Sequence, residues 1–140
     1  MNDVQRAYEQ ALNSDRARVA EGAEPENELA WQARWFSGAC GREFTTTAGS
    51  KAVVSDFGQW NREAGPDFIN TAVRIDGREQ RGAIEVDLDA SGWEQHGHAL
   101  NPAYEGVVLH VVVRRSVRRH FSRTSSHREV PQICLADHET

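Results

Sequence analysis

Lysine is almost absent from this chain: Lys51 is the one lysine among sixteen cationic residues. A site that would ordinarily use a lysine needs a substitute here, because no lysine lies within the acidic motifs described below. Cysteine is scarce as well, and the spacing of Cys40 and Cys134 matches neither a redox motif nor a metal-binding motif. A reducing, cytoplasmic compartment is the expectation for such a chain.

Long hydrophobic runs are also absent. The longest, residues 107–113, is interrupted by His110 and is far too short to cross a membrane. The first ten residues are polar, which predicts that they are not a secretory signal. Phosphate-binding glycine loops, nucleophiles with an evident base and dinucleotide fingerprints are missing too, which argues against kinases, common hydrolases and dinucleotide enzymes. The net charge of −5 does not favour a protein that coats nucleic acid non-specifically.

A length of 140 residues fits one domain whose core needs neither disulfides nor a structural metal. Aromatic and apolar residues predict a short helix over 28–36, and alternation predicts strands over 52–57, 69–75, 83–88 and 107–113. Asp76-Gly77 is a hairpin turn signal, and residues 90–98 are predicted to form a short helix or turn.

This α-β-β-β-α-β order predicts an α/β fold with a mixed central sheet. Residues 1–27 would be a helical or mobile extension, 28–115 the core, and 116–140 an arginine-rich polar tail with a short apolar patch at 133–135.

Two acidic segments have a spacing with chemical meaning. Pro66-Asp67 precedes Glu85 by eighteen residues, so a hairpin would bring the two carboxylates together. Converging carboxylates can hold Mg²⁺ or Mn²⁺. Asp87 lies on the same strand face as Glu85 and offers a third metal ligand or a general base. The simpler interpretation is that Glu85, Asp87 and Asp89 form the solvated face of an amphipathic strand.

Three histidines follow. His96 and His98 flank Gly97 in a predicted loop, and His110 lies in the apolar strand. The group could ligate Zn²⁺ or Mn²⁺ together with Glu85 or Asp87. One histidine could instead supply the proton transfer that a lysine does not. A lone strand histidine such as His110 is, alternatively, a hydrogen-bonded core residue.

The neighbouring aromatic and basic residues leave alternatives open. Trp93 and Tyr104 either pack on the sheet or stack on a nucleobase. Residues 114–128 contain six arginines and no acid. Among them Arg114, Arg115, Arg118 and Arg119 could contact phosphates, which predicts nucleic acid as a partner. The same stretch could be a solvated tail, or the acidic N-terminal segment could neutralise it.

The acidic spacing and the element order resemble the core of the PD-(D/E)XK nuclease superfamily, which implies a restriction-endonuclease-like core. Pro66-Asp67 and Glu85 match that pattern, whereas Asp87 stands where the superfamily has lysine.

A longer string, residues 65–113, resembles the bacterial family catalogued as domain of unknown function 2851. The resemblance rests on a GPDF box at 65–68, a Gly-x-x-Glu segment at 82–87, a Trp-x-x-His-Gly-His box at 93–98 and a Tyr-x-x-Val-x-Leu-His-Val-Val strand at 104–112. Asp87 replaces that family's histidine, and Gly92 its aspartate.

Two functions follow as hypotheses. The first is a divalent-metal-dependent nuclease or phosphodiesterase, weakened by Asp87, in which Asp67, Glu85 and Asp87 hold Mg²⁺ or Mn²⁺. In this hypothesis Asp87, His96 or His98 assists the attacking water. The second is a non-catalytic domain that binds nucleic acid or protein on the same scaffold. A zinc-dependent hydrolase of small molecules is a third, resting on the histidines alone.

Overall fold

The computed structural model describes residues 27–116 and 120–138 of the chain. Over these residues, no helix is both long enough and apolar enough to span a membrane. The extension predicted for residues 1–27 lies outside the described residues, apart from Asn27. The elements are helix α1 (Glu28–Ser37), strands β1 (Glu43–Thr45), β2 (Lys51–Asp56), β3 (Gln59–Trp60), β4 (Phe68–Ile75) and β5 (Arg78–Asp87), helix α2 (Gly92–Gln95), 3₁₀ turns at His98–Leu100 and Pro102–Tyr104, strands β6 (Val107–Val112), β7 (Ser122–Arg123), β8 (Glu129–Val130) and β9 (Gln132–Cys134), and a 3₁₀ turn at Leu135–His138.

Helix α1 begins at a side-chain cap and ends at a glycine. Asn27 Oδ1 accepts a 2.7 Å hydrogen bond from the Ala30 backbone N–H, which satisfies one free donor of the first turn. Gly38 follows the last turn with a φ of 83°, a left-handed conformation that costs glycine little. Trp31 and Trp35 are buried in the core that the helix forms with the sheet. The predicted aromatic helix is therefore confirmed.

One mixed sheet organises the chain, with the strand order β1-β2-β4-β5-β6-β9 and β3 paired to β4. Neighbours are antiparallel from β1 to β5, whereas β5–β6 and β6–β9 are parallel. Strands β4 and β5 form a hairpin around Asp76 and Gly77, whose φ values of 49° and 84° suit a tight two-residue turn. The predicted hairpin and the mixed α/β sheet are both confirmed.

The sheet is covered on both faces around β5. Ile84 and Val86 pack in the large core that contains Trp31 and Trp35 of α1. A second cluster covers the other face and draws its residues from β5, from the crossover between β5 and β6, from the start of β6 and from β8: Ala83, Trp93, Tyr104, Val107 and Val130. Polar side chains on this second face of β5 are consequently enclosed.

The C-terminal segment adds strands that the sequence did not predict. Strands β7 and β8 pair antiparallel, and β9 joins the main sheet with Ile133 opposite Val111. Residues of the predicted polar tail thus form strands, and the element order is longer than α-β-β-β-α-β. Because β9 has only three residues, no alternating pattern marks it, although Ile133 and Cys134 are buried.

We expect Ile133→Ala to lower the free energy of unfolding by about 2–5 kcal/mol, because the change leaves a cavity in the core. The isoleucine is fully buried. Leu100→Ala is the matched control: Leu100 is 86% exposed, and its truncation should change stability by less than about 0.5 kcal/mol. Urea unfolding measures both values, and equal effects would contradict the assignment of β9 to the core.

Candidate functional site

Glu85 and Asp87 lie inside the protein, on the face of β5 that the second cluster covers. The two residues are 4% and 1% exposed. The solvated-face interpretation is wrong for both, because the crossover layer excludes water from this part of the strand. Asp89 is half-buried and accepts a 2.9 Å hydrogen bond from the Ser91 backbone N–H. Buried carboxylates are costly unless they share a proton, pair with a donor or bind a metal.

Asp67 meets Glu85, as the hairpin spacing predicts. The Asp67 backbone N–H donates to Glu85 Oε1 at 3.0 Å, and the Val86 backbone N–H donates to Asp67 Oδ2 at 2.9 Å. Burial, followed by the charge of Glu85, raises the pKa of Asp67 to about 9. Burial, followed by the charge of Asp87, raises the pKa of Glu85 to about 8. The two carboxyl groups therefore retain protons at neutral pH.

His110 is a hydrogen-bonded core residue. It is completely buried and lies opposite Glu85 in the β5–β6 pairing. Its Nε2 is 2.7 Å from Asp87 Oδ2, and its Nδ1 is 2.5 Å from Ser122 Oγ. Both ring nitrogens are thus engaged, so the core interpretation of this histidine is confirmed.

His98 is buried, but its ring nitrogens lack hydrogen bonds. Nε2 is 2.7 Å from Glu85 Oε2, yet the contact does not have hydrogen-bond geometry, and Nδ1 has no partner. Burial lowers the pKa of His98, while the nearby acids, first among them Asp87, raise it. The net lowering favours the neutral imidazole, which is the form that binds metals.

His96 completes a three-residue group with His98 and Asp87. Its Nδ1 is 3.3 Å from Asp87 Oδ1, and its side chain is 46% exposed. One ligand atom from each of Asp87, His96 and His98 lies within 4.8 Å of the others. Asp87 Oδ1 has no hydrogen-bond partner, and neither ring nitrogen of the buried His98 has one.

This donor set fits a divalent transition metal. A carboxylate oxygen and two imidazole nitrogens suit Zn²⁺ or Mn²⁺, whereas Mg²⁺ prefers oxygen ligands alone. The oxygens of Asp67 and Glu85 nearest the strand already accept backbone N–H groups. The predicted acids do come together, but the nitrogen-containing group beside them offers the unpaired atoms.

Two aromatic side chains enclose His98. The ring centroid of Tyr104 lies 3.7 Å from that of His98, and Trp93 meets the same imidazole edge-on at 5.3 Å. Trp93 is fully buried, and its indole N–H donates to the Arg123 carbonyl at 2.8 Å. Both rings pack in the second cluster, as the simpler interpretation predicted. Trp93 is therefore not available to stack on a nucleobase.

Glu28, in the first turn of α1, is a site residue that the sequence did not reveal. Burial, followed by the charge of Asp87, raises its pKa, while His96, the Leu88 backbone N–H and His98 lower it. These interactions indicate that the N-terminus of α1 lies near the end of β5. The helix itself was predictable, but no local spacing indicates which strand its first turn approaches.

Gly92 lies directly against the Asp87 carboxylate. A Cβ at this position would be 2.8 Å from Asp87 Cγ and Oδ1, closer than real Cβ atoms approach. Positions 87 and 92 are the two at which this chain departs from the family pattern given above. The departures are therefore in contact, and an aspartate at 87 requires the space that a side chain at 92 would fill.

The arginine stretch is only partly free. Arg115 donates from Nε and Nη2 to Asp137 at 2.8 and 2.9 Å, which forms a bidentate pair. Arg114 is exposed. Arg118 and Arg119 lie outside the described residues. Asp137, from the final 3₁₀ turn, thus engages one of the four arginines proposed to contact phosphate.

Together, the fold and the site define a mixed α/β domain with a buried acid–histidine cluster. The chain belongs to the family described as protein of unknown function (DUF2851), whose model matches residues 28–139. No match was found among curated proteins or among solved structures.

Stability of the metal-free chain should fall as pH rises. Asp67 and Glu85 have pKa values of about 9 and about 8, above their ordinary 3.8 and 4.5, so the folded chain binds more protons than the unfolded chain between those limits. Unfolding is then favoured progressively from about pH 4 to about pH 9. Thermal unfolding in a chelator measures this slope, which the double variant Asp67→Asn, Glu85→Gln should flatten. A midpoint that rises with pH over this window would contradict the raised pKa values.

Gly92→Ala should destabilise the chain by about 1–3 kcal/mol, because the added methyl overlaps the Asp87 carboxylate. Gly106→Ala is the matched control, since a Cβ there meets nothing within 4 Å. Replacing glycine by alanine reduces the conformational freedom of the unfolded chain, which by itself would stabilise the protein by about 0.4–1 kcal/mol. The two variants should therefore change the free energy of unfolding in opposite directions. Stabilisation by Gly92→Ala in urea unfolding would show that the close contact is not maintained in solution.

Proposed function

We propose that this chain is a divalent-metal-dependent hydrolase of phosphodiester bonds, of the PD-(D/E)XK type, with a metal held by Asp87, His96 and His98. One observation carries the proposal: inside the protein, Asp87 Oδ1 and both ring nitrogens of His98 have no hydrogen-bond partner, and one ligand atom from each of Asp87, His96 and His98 lies within 4.8 Å of the others. Unpaired polar atoms at this depth are costly unless a ligand completes them.

Charge balance supports a cation at this position. Glu85 and Asp87 are buried beside Asp67 and half-buried Glu28. The ion pairs of Arg81, Arg128 and Arg115 go to Glu79, Glu105 and Asp137, away from this cluster. A buried group of acids is stabilised by protons, by imidazole partners or by a metal ion.

The substrate class follows from the acid pair. Asp67 and Glu85 converge across a hairpin with the spacing that the nuclease superfamily uses, which motivates a phosphodiester rather than another ester. A bound divalent cation would polarise a phosphoryl oxygen and lower the pKa of a coordinated water. The half-exposed His96 is the group through which a substrate reaches the cluster.

Metal binding is tested by calorimetric titration of Zn²⁺ and Mn²⁺ into the wild-type chain. We expect binding that His98→Ala weakens by more than about 100-fold, beyond what loss of an outer-shell contact usually costs. His120→Ala is the control, since His120 lies outside the group and its Nδ1 is 4.0 Å from Glu94 Oε2. Equal affinity in wild type and His98→Ala would exclude this imidazole as a ligand.

Hydrolysis is tested with single- and double-stranded DNA and RNA in the presence of Mn²⁺ or Zn²⁺. Glu85→Gln should lower the cleavage rate by about 10²-fold or more, because it removes a carboxyl that holds a proton beside the metal. Glu79→Gln is the matched control on the same strand, with a side chain that is 47% exposed. Cleavage by the wild type no faster than by Glu85→Gln would refute the enzyme.

The same experiment separates the second hypothesis from the first. Salt-sensitive binding of nucleic acid without cleavage would favour a non-catalytic binding domain, with exposed Arg114 as one contact. Substitution of Arg114, rather than deletion of the C-terminal segment, is the suitable variant. The deletion would also remove β9 from the sheet.

A further inference from the structure

We propose that His110 is a positioning residue, held as the Nε2–H tautomer by a chain of donors that begins at Gln132 and turns Asp87 Oδ1 toward His96 and His98. This inference rests on the proposed metal site and goes beyond it by assigning the buried groups behind Asp87. The chain consists of Gln132, Ser122, His110 and Asp87. Successive polar atoms are separated by 3.2, 2.5 and 2.7 Å.

The direction of the chain is set at its first member. Gln132 Nε2 lies 3.4 Å from the His120 carbonyl oxygen and 3.2 Å from Ser122 Oγ. A carbonyl oxygen can only accept, so this end of the amide is the donating NH₂ group. Ser122 Oγ thus accepts from Gln132, and its own hydrogen is left to donate to His110 Nδ1.

The tautomer of His110 follows from that direction. If Nδ1 accepts from Ser122, the neutral ring carries its proton on Nε2. Nε2–H then donates to Asp87 Oδ2 at 2.7 Å. The opposite tautomer would place a lone pair against the carboxylate and a second donor against the serine hydroxyl.

In this arrangement the two carboxylate oxygens of Asp87 have different surroundings. Oδ2 is occupied by His110, while Oδ1 has no hydrogen bond and lies 3.3 Å from His96 Nδ1. Gly92 leaves the space that the carboxylate needs in this orientation. Groups behind a ligand commonly fix its orientation and raise its affinity for metal. Ser122 and Gln132 act here through His110 and touch neither metal nor substrate.

Two variants interrupt the chain with little change in shape. Ser122→Ala removes the hydroxyl that donates to His110. Gln132→Glu replaces the donating amide with an acceptor, which draws the serine hydrogen away from the imidazole. Ser122→Thr retains the hydroxyl and serves as the conservative control. Circular dichroism and thermal unfolding confirm that each variant is folded before comparison.

The tautomer is read from the ¹⁵N chemical shifts of the His110 ring in the metal-free chain, and Zn²⁺ affinity from calorimetry. We expect the Nε2–H form in the wild type and in Ser122→Thr, and a changed Nδ1 chemical shift in Ser122→Ala and Gln132→Glu, in which no hydroxyl donates to Nδ1. Zn²⁺ affinity should fall by about 10–100-fold in the two interrupting variants.

A proton on Nδ1, or on both nitrogens, in the wild type would overturn the proposal. Wild-type Zn²⁺ affinity in folded Ser122→Ala would overturn it as well. Because the tautomer is measured without metal, the two proposals can fail separately. An Nε2–H ring in a chain that binds no metal would support the donor chain and contradict the proposed function.

Discussion

The enclosure of two carboxylates on one strand is the constraint on which the rest of this structure depends. Glu85 and Asp87 project from β5 into a layer made by the crossover and the β7–β8 pair. Buried acids need compensation, and their neighbours supply it: Asp67 is held with Glu85 through backbone donors, and His110 hydrogen bonds to Asp87. With a single lysine in the chain, compensation comes from protons, imidazoles and, in our proposal, a metal ion.

The extent to which sequence predicts this site differs from residue to residue. The meeting of Asp67 and Glu85 was predictable to within one residue, because the Asp76-Gly77 turn sets the hairpin register; an irregularity between Phe68 and Thr71 then shifts the pairing so that Phe68 lies opposite Ile84. The burial of Asp87 was not, since its cover comes from a four-residue helix, 3₁₀ turns and two-residue strands. Such short elements have no periodicity to detect. Glu28 and Ser122 reach the cluster through tertiary contacts that no local spacing encodes.

Asp87 and Gly92, the two departures from the family pattern given above, are best considered together. Taken singly, an aspartate in place of a histidine suggests a damaged site, and a glycine in place of an aspartate suggests a lost ligand. The contact between them gives a different picture, because the Asp87 carboxylate fills the space beside the Cα of Gly92. In this chain, β5 supplies the acid in this corner of the site, and the first residue of α2 leaves room for it.

The parallel pairing of β5, β6 and β9 also bears on how the protein is made. These strands are joined by long connections, and contacts between distant parts of a chain tend to form late in folding. Gln132, at the start of β9, is the most C-terminal member of the donor chain behind Asp87. During synthesis the acidic strand emerges well before this last support. Under the proposed function, the metal site is therefore complete only once β9 has joined the sheet, and a nascent chain meets metal ions before that geometry exists.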